Sequence, residues 1–384
     1  MKKIILTLII SMTFCLHLEV SKALAGCDNP CGAEELIECA ATDAGMTPEE
    51  FYNTWIFDEK SYLDQFCVRP LPEPSTGQQK YFYDNYCTNP GNYFSYSNFI
   101  KAVSKETFSE FCCAANTTKE MRYKELSNFL ATIAQETKGG GERIFWDGLY
   151  FRYENDWLTG KTLQDRTNYY PGDNWKVATL SSNPEMVYTK TYWSEDAPEK
   201  GLIYDPAASP MKVTYGPIVA PSGYSIIRMN QMIEPAYWIG MGATQLTADS
   251  MVGFFGWYYN NLAIGAPLES ANYKTFVEEY LVDGELGFIG AFWYWMFRVN
   301  GRDRPTLHSV LTDPNKPVCR DIAAATLLVN GGCNHYNPGR SDYYKYFHET
   351  VFKIDIVPVK KTVKGVELNS MKCELPLLDY CQSQ

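Results

Sequence analysis

The stretch that decides the fold is KELSNFLATIAQETKGGG, residues 124–141. Leu126, Phe129, Leu130 and Ile133 fall at i, i+3, i+4 and i+7, the spacing of one apolar stripe on a helix. Three residues further along that stripe stands Glu136, a carboxylate where another apolar side chain was due. Thr137 and then Gly139, Gly140 and Gly141 stop the helix directly after it. A carboxyl on the buried face of a helix end sits in a low-dielectric site that favours its neutral form. That is how an enzyme keeps an acid protonated near neutral pH. The competing reading is a helix register off by one residue, with Glu136 solvated on the rim.

Working outward, the N-terminal flank carries Tyr93-Phe94-Ser95, which reads as a capped start for a helix through Phe99 to Val103, followed by a turn at Cys112-Cys113. Asn116-Thr117-Thr118 is an acceptor sequon for N-glycosylation, with Asn116 on an exposed loop. On the other flank, Asp147 to Asp156 alternates enough for a short strand or hairpin arm that leads to Glu154. Residues 157–236, rich in Tyr, Trp, Pro, Ser and Asn, read as a loop-dominated insertion with short strands. Helical signals return over Asp249–Asn260, Asn272–Val282 and Phe288–Arg298, the last (FIGAFWYWMFR) apolar almost all round and therefore central. Further helices are expected over Cys319–Val329, ending at Asn330-Gly331-Gly332, and over Ser341–Val351.

The chain of 384 residues is long enough for a sizeable core. Its net charge of −11 argues against nucleic acid or an anionic membrane as partner and favours a neutral or cationic substrate. Aromatic residues reach 15%, which suits flat contacts to sugar rings and also suits a core; composition does not choose. Lys2 and Lys3, the apolar run from Ile4 to Leu18 and Ala23-Leu24-Ala25 read as a secretory signal peptide over residues 1–25, with no later run long enough to span a bilayer. Leu24-Ala25-Gly26-Cys27 also fits a lipoprotein box, which would anchor the chain at Cys27. Of the 12 cysteines, those beyond the leader are expected to form disulfides in an oxidising compartment, with one left over. Zinc is the alternative, and the cysteine and histidine spacings do not favour it. Residues 26–90 read as a disulfide-tied helical extension, with a separate carbohydrate-binding module as the rival. Residues 357–384 read as a tail strapped back by Cys373 and Cys381.

Five motifs in order then point to one family. FLATIAQET with its glycines resembles the helix-HET-GG segment of glycoside hydrolase family 19, the plant-type chitinases. FSYSNFIKAV, Gly148-Leu-Tyr-Phe-Arg-Tyr-Glu154 and Gly240-Met-Gly-Ala-Thr-Gln-Leu-Thr247 resemble three further segments of it. AFWYWM with Pro305 and His308, then Asn330-Gly-Gly and Arg340, resemble its C-terminal half, so the resemblance spans residues 93–355.

The resemblance implies an α+β, mainly α-helical, lysozyme-like two-lobed domain over residues 91–356 with a catalytic cleft. It implies an endo-acting chitinase that inverts the anomeric centre without metal or cofactor, acting as a monomer on β-1,4-linked N-acetylglucosamine polymers. Carried over, Glu136 matches the general acid and Glu154 the general base, with Thr247 helping to hold the attacking water. Gln245, Asn330, Arg340, Thr137 and Tyr150 match substrate-cleft positions. Inverting enzymes hold the two carboxyls roughly 6.5–9.5 Å apart to accommodate that water.

The chain departs from the family at Gln135, in place of a usual His, and at Met241, in place of Arg. It departs again at Met251, in place of Asn, and at Asn334, near where a Glu is common. The alternatives are a peptidoglycan hydrolase and a catalytically inactive chitin-binding protein, and Glu142 competes with Glu154 as the second carboxylate.

Overall fold

The structure, a computed structural model, describes residues 27–57, 93–137, 240–246, 248–262, 283–298, 305–334 and 336–383, with Phe276, Glu279, Tyr280 and the backbone of five strands between 176 and 228. Its helices are α1 (Ala33–Ala44), α2 (Pro48–Trp55), α3 (Tyr96–Val103), α4 (Lys119–Glu136), α5 (Ala248–Asn261), α6 (Gly284–Met296), α7 (Leu307–Leu311), α8 (Ile322–Asn330), α9 (Ser341–Lys345) and α10 (Leu375–Gln382). The described part is therefore mostly helical.

Local chemistry sets the helix starts. Ser95, Thr118, Asp283 and Thr306 each accept a backbone N–H of the first turn of α3, α4, α6 and α7, the usual way to satisfy a helix's orphan donors. Thr47 and Glu50 form a reciprocal capping box on α2, with Pro48 at its first position. The Asn330-Gly331 signal ends α8 as expected, because Gly331 takes the left-handed φ of 68° and returns its N–H to Leu327 O at 2.8 Å.

The core is aromatic. Phe129 of α4 stacks on Phe292 of α6 at 4.8 Å and meets Trp295 edge-on at 5.4 Å. Phe99 and Phe111 pack against the same Phe292. Trp293 and Trp295 are buried, so that stripe is core. Helix α6, capped by Asp283, starts four residues before the apolar run FIGAFWYWMFR, and Gly284 and Gly287 let this first turn approach Tyr93. A Cβ at Gly284 would strike the Tyr93 carbonyl, and one at Gly287 the Tyr93 hydroxyl.

Helix α4 is where expectation and structure diverge. Every residue from Met121 to Gln135 is buried, polar ones included, so α4 is a central helix and not one with a single apolar stripe. Its polar side chains are buried against distant partners. Glu125 accepts from Cys112 N at 3.0 Å, Trp295 Nε1 at 3.1 Å and His308 Nδ1 at 2.7 Å. Lys124 pairs with Asp321 at 3.2 Å, and Asp321 accepts from Tyr344 Oη at 2.8 Å. A charge removed from water is tolerated when paired and hydrogen-bonded in this way.

The N-terminal helices join the same core: Leu36, Ile37, Phe51 and Tyr52 belong to it, and Tyr123 Oη donates to Leu36 O at 3.2 Å. Disulfides Cys27–Cys39 and Cys31–Cys113 tie this segment down. Cys319–Cys381 and Cys333–Cys373 strap the tail, which forms a hairpin of β6 (Lys360–Val363) and β7 (Val366–Asn369) before α10. Cys112 is a buried free thiol. Within residues 157–236, strands β1 (Lys176–Leu180), β2 (Asn183–Lys190), β3 (Lys200–Asp205), β4 (Lys212–Pro217) and β5 (Tyr224–Arg228) pair antiparallel in the order β4-β3-β2-β1-β5. Among the described residues, no helix is long and apolar enough to cross a membrane.

Candidate active site

The C-terminal end of α4 presents Glu136 with its side chain 25% exposed, flanked by buried Gln135 and Thr137. Opposite it, the chain winds as a π-helical turn over Tyr336–Arg340 before tightening into α9, and a second π segment follows over Tyr346–Val351. Such wide turns are uncommon and recur at functional sites, where they re-aim a side chain. Here the junction aims Arg340.

The Arg340 guanidinium is 1% exposed and donates from Nη2 to Glu136 Oε1, forming an ion pair. Nη2 also reaches Asn330 Oδ1 at 3.4 Å, and Nη1 reaches Asn334 O at 3.4 Å. Asn330 Nδ2 donates to the same Asn334 carbonyl at 2.8 Å, which closes a small polar ring at the end of α8. Glu136, Arg340 and Asn330, taken from three separate segments, thus meet at one place.

Their surroundings differ from the expectation for Glu136. Among the described residues the carboxylate has no apolar pocket around it; it sits at a half-open helix end, held by a buried cation. Burial of Arg340 makes that pairing consequential, because a guanidinium withdrawn from water needs a compensating charge. Asn334 contributes through its backbone carbonyl, a role that its side-chain identity did not suggest. Asp342, a rival partner for Arg340, accepts from Gly339 N at 3.1 Å instead.

The other candidates divide. Thr137 is fully buried and its hydroxyl donates to Ile133 O at 2.8 Å, so it seals the helix end. Gln245 stands at a left-handed φ of 49° in a tight turn bridged by Met241 and Leu246, and its Nε2 donates to Gly242 O at 2.9 Å. Met241 and Met251 are both fully buried in the hydrophobic core. Asn116 is exposed and takes a left-handed φ of 65°, while Thr118 of its sequon caps α4. Glu154, Tyr150, Thr247 and Glu142 lie outside the described residues.

Among the described residues, no group of three or more His, Cys, Asp or Glu side chains is placed to hold a metal ion. In comparisons with known proteins, no family model and no curated protein matches the chain.

His308 and His348, whose spacing favours a structural role over metal binding, are both buried in the core. Burial works against protonation of His308, yet the charge and hydrogen bond of Glu125 outweigh it and raise its pKa. His348 is stacked on Tyr344 at 5.3 Å and shares a hydrogen bond with Ser127 at 3.1 Å. Burial, and then the Lys124 charge, push its pKa down to about 4. Their hydrogen-bond partners, Glu125 and Ser127, lie more than a hundred residues away in the chain and could not be read from the sequence.

Proposed function

We propose that the protein is a secreted, endo-acting glycoside hydrolase that cleaves β-1,4-linked N-acetylglucosamine polymers such as chitin with inversion. The observation that carries this reading is the meeting of Glu136, Arg340 and Asn330 at one half-open helix end. These are three residues that the family resemblance singles out from segments far apart in the chain. Four disulfides and the lack of a membrane-crossing helix among the described residues fit an extracellular setting.

In this mechanism Glu136 gives its proton to the glycosidic oxygen as the bond breaks, while Glu154 takes a proton from a water that Thr247 helps to hold on the opposite face. Glu136 becomes an anion as the proton leaves. Arg340 is already in place to stabilise that charge, so no reorganisation is needed at that moment. Asn330 and the Asn334 carbonyl keep the guanidinium directed at the carboxylate. The lysozyme-like two-lobed fold belongs to this same proposal. The net charge of −11 favours a neutral glycan over anionic peptidoglycan.

The ion pair also supports a second reading, a chitin-binding protein without hydrolysis. In that reading the Glu136–Arg340 pair holds the carboxylate for contact with the glycan and transfers no proton. Incubation with chitohexaose and with purified peptidoglycan, wild type beside Glu136→Gln, separates the readings. Hydrolysis of chitohexaose by wild type and its loss in the variant support the proposal. Intact oligosaccharide after long incubation, together with retention on chitin, supports the second reading.

A further inference from the structure

Buried polar atoms without a hydrogen-bond partner are rare in proteins, and six of the ten found among the described residues, all but those on Thr244, Trp257, Tyr280 and Asp321, lie along one seam. On α4 they are Asn128 Oδ1, Thr132 Oγ1 and Gln135 Oε1, at i, i+4 and i+7, hence on one helix face. Against α4 packs the segment 336–351, with Arg340 Nε, Ser341 Oγ and His348 Nε2. The seam ends at the Glu136–Arg340 pair.

Two of these atoms are complementary, and the segments that carry them pack together. Gln135 Oε1 is an acceptor on a side chain 6% exposed, and Arg340 Nε is a donor on one 1% exposed. The backbone just before Arg340 lies against the Gln135 amide: a Cβ added to Gly339 would sit 2.6 Å from Gln135 Oε1. Gly339 also has a φ of 148°, a conformation that other residues rarely adopt. The absent side chain at 339 is therefore what lets the Gln135 carbonyl come up to the backbone that carries Arg340.

We propose that Gln135 is the positioning residue for Arg340, its side-chain carbonyl accepting the Arg340 Nε–H through one bound water. Nη2 is then the nitrogen turned to Glu136 and Nη1 the one turned to the Asn334 carbonyl. Without the Gln135 acceptor, the guanidinium can rotate about its stem and the pair with Glu136 loosens. The catalytic consequence rests on Glu136 being the acid; the positioning itself does not.

The test uses the full chain with 15N-arginine labelling. Hydrogen exchange of Arg340 Nε–H is followed by NMR in wild type, Q135M and Q135E, and chitohexaose kinetics are run on the same samples. Q135M keeps the length and removes the acceptor; Q135E keeps the length and retains one. The proposal expects exchange at least tenfold faster in Q135M, near wild type in Q135E, and a fall in kcat larger than any rise in KM in Q135M. Unchanged exchange in Q135M overturns it. If wild type does not hydrolyse the substrate yet exchange responds as described, the hydrolase reading fails and the positioning stands. Should Q135M not fold, Q135A carries the same reading, since it removes the acceptor without adding bulk.

Discussion

Helix α4 carries two buried-region carboxylates three turns apart, and their surroundings differ in kind. Glu125 is 1% exposed and takes hydrogen bonds from a backbone N–H, an indole and a histidine. Every feature of that site locks a charge in place. Glu136 is a quarter exposed, and its cation, Arg340, is the buried member of the pair. A carboxylate fully occupied by protein donors holds a fold together. One that faces solvent while a buried guanidinium backs it can meet a substrate and change its charge there. The same residue type on the same helix is thus structural at one end and available for chemistry at the other.

Four predictions break or sharpen this contrast. The largest effect is catalytic: Glu136→Gln lowers kcat on chitohexaose by roughly 10²–10⁴-fold, the usual worth of a general acid. Its stability, read by urea denaturation, falls by about 2–3 kcal/mol, because the glutamine carbonyl still accepts from Arg340 and the site is a quarter exposed. Glu125→Ala shows the reverse pattern. It strands three buried donors and costs about 3–5 kcal/mol of stability, with kcat of the folded fraction kept within a factor of a few. Equal effects of the two substitutions on both readouts would erase the distinction.

The third prediction concerns acid. His348 is held at about 4 in the folded chain against an ordinary 6.5, so the unfolded chain binds the proton more readily. Stability therefore falls as pH drops from about 6.5 towards 4, by roughly 3 kcal/mol for a shift of this size. His308 acts in the opposite sense. Its raised pKa gives a contribution present below its unfolded value and lost as pH rises through the folded one. Urea midpoints measured across that range in wild type and H348F check this; an acid-side slope that survives in H348F would assign the loss to other groups.

The smallest effect is Thr118→Ala, which removes the α4 cap and costs about 1 kcal/mol. In a host that glycosylates, it also removes any glycan at Asn116, seen as a mass shift.

Helix ends set by local chemistry were legible, as the Ser95 start and the Asn330-Gly331 stop illustrate. The all-round burial of α4 was not, because periodicity reads Lys124, Glu125 and Asn128 as solvent-facing unless their partners are known. Those partners, Asp321, His308 and the Arg320 carbonyl, come from the far C-terminal half. At the site, Glu136, Arg340 and Asn330 could be picked out by motif. Their pairing could not, since it depends on a π-helical junction that leaves no pattern in YNPGR. Gln135 looked like a departure beside the acid; its contact with Gly339 gives the position a physical role.

The central claim is that Glu136, backed by Arg340, protonates a leaving sugar in an inverting reaction. A proton NMR time course of chitohexaose with wild type and Glu136→Gln tests it directly. The account predicts that the α-anomer of the shorter oligosaccharide appears first with wild type and that Glu136→Gln produces none over the same period. First appearance of the β-anomer, or an undiminished rate in Glu136→Gln, would contradict it.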